Sequence, residues 1–242
     1  MNQADKILDW YDKNRRYLPW RSAPGAQADP YHVWLSEIML QQTTVATVKS
    51  YFEYFILKWP NVNVLAAVAL DEILHAWQGL GYYARARNLH KCANIVVLEY
   101  GGIFPKEEKE LLKLPGIGPY SAAAIAAIAF GKKATPVDGN IERVVARIFS
   151  VTEPIPRSKT KLRELARKMT PDKDAGDYAQ ALMDIGATIC KPKNPTCNLC
   201  PLSGQCKAEA KGIAENLPKR LPKTNKPIRA GIIFWVSNDK GE

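Results

Sequence analysis

Apolar residues recur at helical spacing along most of this chain. Ile7, Leu8, Trp10 and Tyr11 fall on one side of a predicted helix over 4–14. Asp29 followed by Pro30 is a strong helix start, an N-cap carboxylate with proline in the first helical position. The segment that follows, 31–42, is apolar almost all round, which predicts a helix buried on most sides. Further helices are predicted over 45–58, 62–68, 71–77 and 83–99, the last ending at Gly101 and Gly102. Leu111, Leu112 and Leu114 form the apolar side of a short helix stopped by Pro115, and Pro119 opens the next one, which runs to Phe130. Gly116 and Gly118, in the turn between them, are read as positions where a Cβ is forbidden. Helices over 141–150, 159–169 and 177–189 complete an all-α body without internal repeats. The one strand-like pattern, 231–237, stands behind a Pro/Lys-rich linker over 217–227.

Composition narrows the class of partner. The 242 residues are long enough for one large or two small domains. No run is long and charge-free enough to cross a bilayer, and the N-terminus lacks a signal-peptide layout, so an intracellular protein is expected. Lys and Arg number 34 against 24 Asp and Glu, a net charge of +10 that suits a polyanion. The cations are interspersed with apolar residues (Arg85, Arg87 and Lys91; Arg143 and Arg147; Lys161, Arg163, Arg167 and Lys168), which predicts a folded basic surface and not a disordered arm.

The turn Leu114-Pro-Gly-Ile-Gly-Pro-Tyr120 points the N–H groups of a helix N-terminus outward among small side chains, a place for a phosphate; an ordinary packing corner is the alternative. Two carboxylates stand out. Glu37 shares its helix face with Val33, Trp34 and Leu40, so burial disfavours its charged form and suits it to hold a proton, as a general acid must. Asp138, in Thr135-Pro-Val-Asp-Gly-Asn140, precedes a helix start that favours the ionised form, and Asn140 is placed to orient it. Taken singly, Glu37 reads first as a satisfied buried acid and Asp138 as a plain N-cap. Taken together, one protonated and one charged carboxyl group are the division of labour that cleaves a glycosidic bond.

Four of the five cysteines, Cys190, Cys197, Cys200 and Cys206, lie within seventeen residues at spacings of six, two and five. So compact a set of thiols reads as a metal or cluster site, zinc included, and Lys191, Lys193 and Lys207 border it. Cys92, His32, His75 and His90 follow no ligand spacing.

The hairpin with its following aspartate resembles the helix-hairpin-helix DNA glycosylases, and the cysteine spacing is similar to the [4Fe–4S] loop of the endonuclease III superfamily. Within that superfamily the chain is similar to the adenine glycosylases over about residues 6–226, through Leu18-Pro-Trp-Arg21, Trp34-Leu-Ser-Glu-Ile-Met-Leu-Gln-Gln-Thr43, the segment 77–90, the hairpin, Pro136-Val-Asp-Gly-Asn140 and the four cysteines. The resemblance implies two helical subdomains, 22–132 carrying the hairpin and 1–21 with 133–216 carrying the cluster loop. Residues 217–242 are then a linker and the truncated start of a C-terminal recognition domain. It implies removal of adenine paired with 8-oxoguanine or guanine from double-stranded DNA, by a monomeric, cytoplasmic, nucleoid-associated bacterial protein. In this reading Glu37 protonates the base and Asp138 stabilises the oxocarbenium ion, with Tyr120 and Asn140 tuning the pair. Arg16, Trp20, Arg21, Leu40 and Gln180 line the base pocket. Gln42 and Tyr82 push into the DNA stack, Leu80 neighbours the opposite base, and Gly116 and Gly118 meet phosphate. Tyr83 is read as a core aromatic. Tyr120 stands where lyase-competent relatives carry a lysine, which implies a monofunctional enzyme. A thymine or uracil mismatch glycosylase of the same fold and a non-catalytic iron–sulfur DNA-binding protein are the competing readings.

Overall fold

A computed structural model describes residues 2–222 together with 231, 232 and 238. The described chain is helical: α1 (Gln3–Asn14), α2 (Pro30–Leu40), α3 (Val45–Lys58), α4 (Val62–Ala66), α5 (Leu70–Ala76), α6 (Ala84–Tyr100), α7 (Glu108–Leu111), α8 (Pro119–Phe130), α9 (Gly139–Ile148), α10 (Lys159–Met169), α11 (Ala175–Thr188) and α12 (Lys207–Ala210). Two short 3₁₀ turns, Cys197–Leu199 and Ala214–Asn216, flank α12. Among the described residues extended pairing is confined to a single bridge between Ile155 and Arg220. Most of the predicted strand, 233–237, lies outside the described residues. Among the described residues no helix is long and apolar enough to cross a membrane.

Buried apolar side chains gather in two clusters. The first, from Leu18 to Ala134, packs α2 against α3, α6 and α8 around Trp34, Phe55 and Trp77. The second joins Ile7 and Tyr11 of α1 to α9, α10 and α11, so the two ends of the described chain close one core. Helix α8 sits between the clusters, touching α2 on one side and α11 on the other. Its alanines make that possible: Gly176 of α11 approaches so closely that a Cβ there would lie 2.6 Å from the Ala127 carbonyl oxygen.

The hairpin differs in detail from its sequence reading. Helix α7 is one turn: it ends at Leu111, with Leu112 as its C-cap, three residues before Pro115. Bonds from Lys113 N–H to the Glu110 carbonyl and from Leu114 N–H to the Leu111 carbonyl tighten its exit. Gly116 adopts φ +79°, which favours glycine, and a Cβ would lie 3.0 Å from Asn88 Cβ. Gly118 does not need its lack of a side chain: it is extended, at φ −93° and ψ 179°, with open space around it.

Two sequence expectations about exposure are corrected. Arg85 and Arg147 are 7% and 2% exposed, removed from the basic surface because backbone carbonyls satisfy their guanidinium groups. Tyr83 is not a core aromatic: it N-caps α6 and is 38% exposed. Leu80 packs in the first core at 5% exposure.

Candidate active site

Helices α2, α3, α8, α9, α10 and α11 and the segment between α1 and α2 line a cavity of about 660 Å³. Helix α2 delivers Glu37 two turns from its start, where Asp29 accepts the Tyr31 N–H at 2.8 Å and Pro30 occupies the first turn. Helix α8 delivers Tyr120 next to its leading proline. Asp138 is the N-cap of α9: one of its oxygens accepts the Ile141 N–H at 2.7 Å and the other the Asn140 amide at 2.9 Å, an acceptor-only arrangement that suits a carboxylate. The plain N-cap role and the cavity position therefore belong to the same residue.

Glu37, 7% exposed, has its pKa raised from 4.5 to about 7. Burial is the main cause and the neighbouring charge of Asp138 adds to it; the hydrogen bond from the Tyr120 hydroxyl and the charge of Arg21 oppose it. Tyr120 itself is held well above the usual phenol range by burial and by the charges of Glu37 and Asp138, so it stays a donor. One carboxyl group is thus inclined to carry a proton near neutrality while the other is built to accept hydrogen bonds.

The segment between α1 and α2 forms the facing wall. Arg21 holds Asp184 of α11 through two nearly parallel bonds of 2.7 and 2.8 Å, and Arg16 reaches the same carboxylate at 2.6 Å through Nε and at 3.1 Å through its backbone N–H. Asp184 is fully buried; burial works to raise its pKa, but the hydrogen bonds and charges of Arg21 and Arg16 together hold it below the usual carboxylate range. Asn140 is fixed in turn by Arg143, which donates to its Oδ1 at 2.8 Å, to the Gly186 carbonyl at 2.7 Å and to the Cys190 carbonyl at 2.7 Å.

The sequence-predicted residues Glu37, Asp138, Tyr120, Asn140, Arg16, Trp20, Arg21, Leu40 and Gln180 all line this one cavity. Gln42 sits on its rim: its neighbours Gln41 and Thr43 line the cavity and its own side chain is exposed. Tyr82 is 62% exposed on the loop before α6. Asp184 and Arg143 escaped the sequence reading. Asp184 carried the same signal as Glu37, an acid between Leu182, Met183 and Ile185, but its arginine partners lie more than 160 residues away in the chain.

On the far side of α9 the four cysteines ring a small cavity of about 30 Å³ closed by Val144, Ile148, Ile189 and Leu202. Burial pushes the Cys200 thiol up to about 11 and raises those of Cys197 and Cys206 above their ordinary value, so thiolates at these positions call for cationic partners. Arg147 supplies one, donating to Cys190 Sγ at 3.2 Å and to the Lys191 and Pro192 carbonyls. Among the described residues no three His, Cys, Asp or Glu side chains take the arrangement of a single-ion site. The all-sulfur donor set on one short loop fits an iron–sulfur cluster.

A helical hairpin with an uncapped α8 N-terminus, beside a cavity that pairs a proton-holding acid with a carboxylate, is the layout of a helix-hairpin-helix base excision protein. Residues 35–172 match the family described as HhH-GPD superfamily base excision DNA repair protein, and the chain belongs to that superfamily. Within it, the chain is 38% identical over 232 residues to the adenine DNA glycosylase of Mycolicibacterium smegmatis, covering 94% of this chain and 78% of that protein. It is 44% identical over 203 residues to the adenine DNA glycosylase of Buchnera aphidicola subsp. Baizongia pistaciae, and 42% identical over 219 residues to that of Homo sapiens. These matches cover 84% and 87% of this chain but 57% and 40% of those relatives. Among solved structures, a thermostable thymine-DNA glycosylase is 34% identical with a TM-score of 0.76, covering 86% of this chain and 95% of that one. A trapped endonuclease III–DNA covalent intermediate is 25% identical with a TM-score of 0.70, covering 87% and 95% respectively.

Proposed function

We propose that this chain is a monofunctional adenine DNA glycosylase that removes adenine opposite 8-oxoguanine or guanine in double-stranded DNA. The observation that carries the reading is the raised pKa of about 7 at Glu37, in the same cavity as the hydrogen-bonded carboxylate of Asp138. Adenine is swung out of the duplex into the cavity, because its glycosidic bond is out of reach inside the stack. Glu37 gives its proton to N7 of the base. The C1′–N9 bond then breaks with its electron pair leaving on adenine, and Asp138 stabilises the oxocarbenium ion until water adds to C1′ and gives up a proton to the now ionised Glu37, restoring its acid form. Tyr120 holds the Glu37 carboxyl group in place through its hydroxyl and offers no amine for a Schiff base, which supports a monofunctional enzyme. Trp20 and Leu40 supply the apolar walls of the base pocket, and Arg16, Arg21 and Gln180 its polar lining.

Backbone phosphates meet the turn at Gly116 and Gly118, where α8 has no side-chain cap, and the net charge of +10 favours their approach. Cys190, Cys197, Cys200 and Cys206 hold a [4Fe–4S] cluster whose contribution is structural: it fixes the loop bearing Lys191, Lys193 and Lys207 against α9. The presence of two apolar clusters supports a division into two subdomains, although Leu18, Trp20 and Ala134 pack in the first cluster and not with the second, and the protein works as a monomer on DNA inside the cell. The similarity to a thymine-DNA glycosylase supports a second reading, a mismatch thymine glycosylase of the same fold. Chromatographic identification of the base freed from duplexes with adenine opposite 8-oxoguanine, adenine opposite guanine and thymine opposite guanine decides between them. Adenine from the first two supports the proposal; thymine from the third alone overturns it. Borohydride tests the monofunctional part, since an efficient covalent trap on DNA contradicts it.

A further inference from the structure

Arg85 lies in the first turn of α6, 7% exposed, at a helix end where a cation is electrostatically disfavoured. Its guanidinium instead serves two separate segments, the end of α2 with the loop that follows it and the loop before α6. Nη1 donates to the carbonyls of Ile38 and Met39 at 3.0 and 2.9 Å, in the last turn of α2. Nη2 donates to the carbonyls of Leu80 and Gly81 at 2.9 and 3.2 Å and to Thr43 Oγ1 at 3.2 Å. The group also lies 5.3 Å from the Trp77 ring centre and 5.8 Å from that of Tyr82.

Each of these loops carries one exposed side chain on a strained backbone. Gln42 has φ +57° and Tyr82 φ +47°, left-handed conformations that cost a non-glycine residue roughly 1 kcal/mol or more each and persist only where the surroundings enforce them. The surroundings here are the same guanidinium, helped by Trp77 Nε1 on the Gly81 carbonyl at 3.1 Å and the Tyr51 hydroxyl on the Gln78 carbonyl at 2.7 Å. Capping α2 alone would need only the Nη1 bonds. A fork that also binds the second loop couples the two strained residues, Gln42 at the cavity rim and Tyr82 on the loop before α6.

We propose that Arg85 is a positioning residue that locks Gln42 and Tyr82 into one wedge, so that both side chains enter the DNA stack together and keep the target nucleotide out of it. The inference rests on the base-excision reading above. Wedge side chains that fill the gap of an extruded nucleotide are a general device for unstacking duplex DNA.

The test places 2-aminopurine next to a mispaired adenine, where its fluorescence rises on extrusion, and follows single-turnover base release in parallel. Arg85→Lys keeps the charge and loses the fork. It is expected to lose most of the brightening and at least tenfold in rate, while the fall of rate with pH stays centred where it is in the wild type. Wild-type brightening and rate in Arg85→Lys overturn the proposal, as does a loss of rate with full brightening. Because Arg85 variants can misfold, a second arm uses the exposed pair: Gln42→Ala, Tyr82→Ala and the double variant. One wedge requires that the double variant lose little more brightening than the worse single one; losses that multiply as for independent sites refute it. Brightening is read without base release. A wild-type protein that brightens but frees no adenine therefore contradicts the assigned base and leaves the wedge standing.

Discussion

Replacing Tyr120 by Phe removes one hydroxyl from the Glu37 carboxyl group and leaves the ring. That hydrogen bond favours the ionised form of Glu37, against burial and the Asp138 charge, which favour the protonated form. Without it the pKa rises from about 7. A hydrogen bond to a charged acceptor contributes roughly 1.5 kcal/mol or more, about one pH unit. If Glu37 must be protonated to act, the single-turnover rate is flat at low pH and falls as Glu37 ionises. At pH 8 the wild type then keeps about a tenth of its plateau rate and Tyr120→Phe about half of its own. The assay is adenine release from a duplex under enzyme excess between about pH 5 and 9, each variant normalised to its own plateau. Asp138→Asn should move the same titration down, since a negative neighbour is lost; as its rate is too low to profile, the carbon resonance of labelled Glu37 reports it. A Tyr120→Phe limb at or below the wild-type position refutes the assignment of Glu37 as the proton donor held by Tyr120.

The same burial has a cost in stability. The folded pKa of Glu37 lies above its unfolded value, so the penalty is absent below about 4.5, grows to about 7 and levels off at about 3 kcal/mol above it. Glu37→Gln keeps an acceptor for Tyr120, and urea titration should find it more stable than wild type by up to about 3 kcal/mol at pH 8 and by less than about 1 kcal/mol at pH 5. Asp184→Asn leaves Arg16 and Arg21 without their shared carboxylate and should destabilise by about 3–5 kcal/mol in the same assay. In Gly186→Ala the new Cβ would lie 2.6 Å from Asn140 Cβ, displacing the amide from Asp138; in Gly176→Ala it meets the Ala127 carbonyl at 2.6 Å, further from the site. Both should destabilise by about 1–3 kcal/mol, but base release should fall at least tenfold only in Gly186→Ala.

Helices were legible wherever an apolar stripe or a cap was local, as in α3 and α10, whose observed bounds are those their periodicity predicts. Glu37 was legible because an acid among Val33, Trp34 and Leu40 violates the pattern of its own helix. What stayed hidden depends on partners distant in the chain. Arg85 and Arg147 look like surface cations in sequence, and only folding brings the carbonyls of Ile38, Leu80, Lys191 and Leu217 around them. The first turn of the hairpin was drawn too long because three leucines mark an apolar face without saying whether it is helical.

Single-turnover release of adenine from a duplex with adenine opposite 8-oxoguanine, compared across wild type, Glu37→Gln and Asp138→Asn, tests the pairing of the two carboxyl groups most directly. Both variants should bind the duplex as the wild type does and lose at least a hundredfold in rate. Adenine release by either variant at the wild-type rate would mean that the bond is broken by other residues.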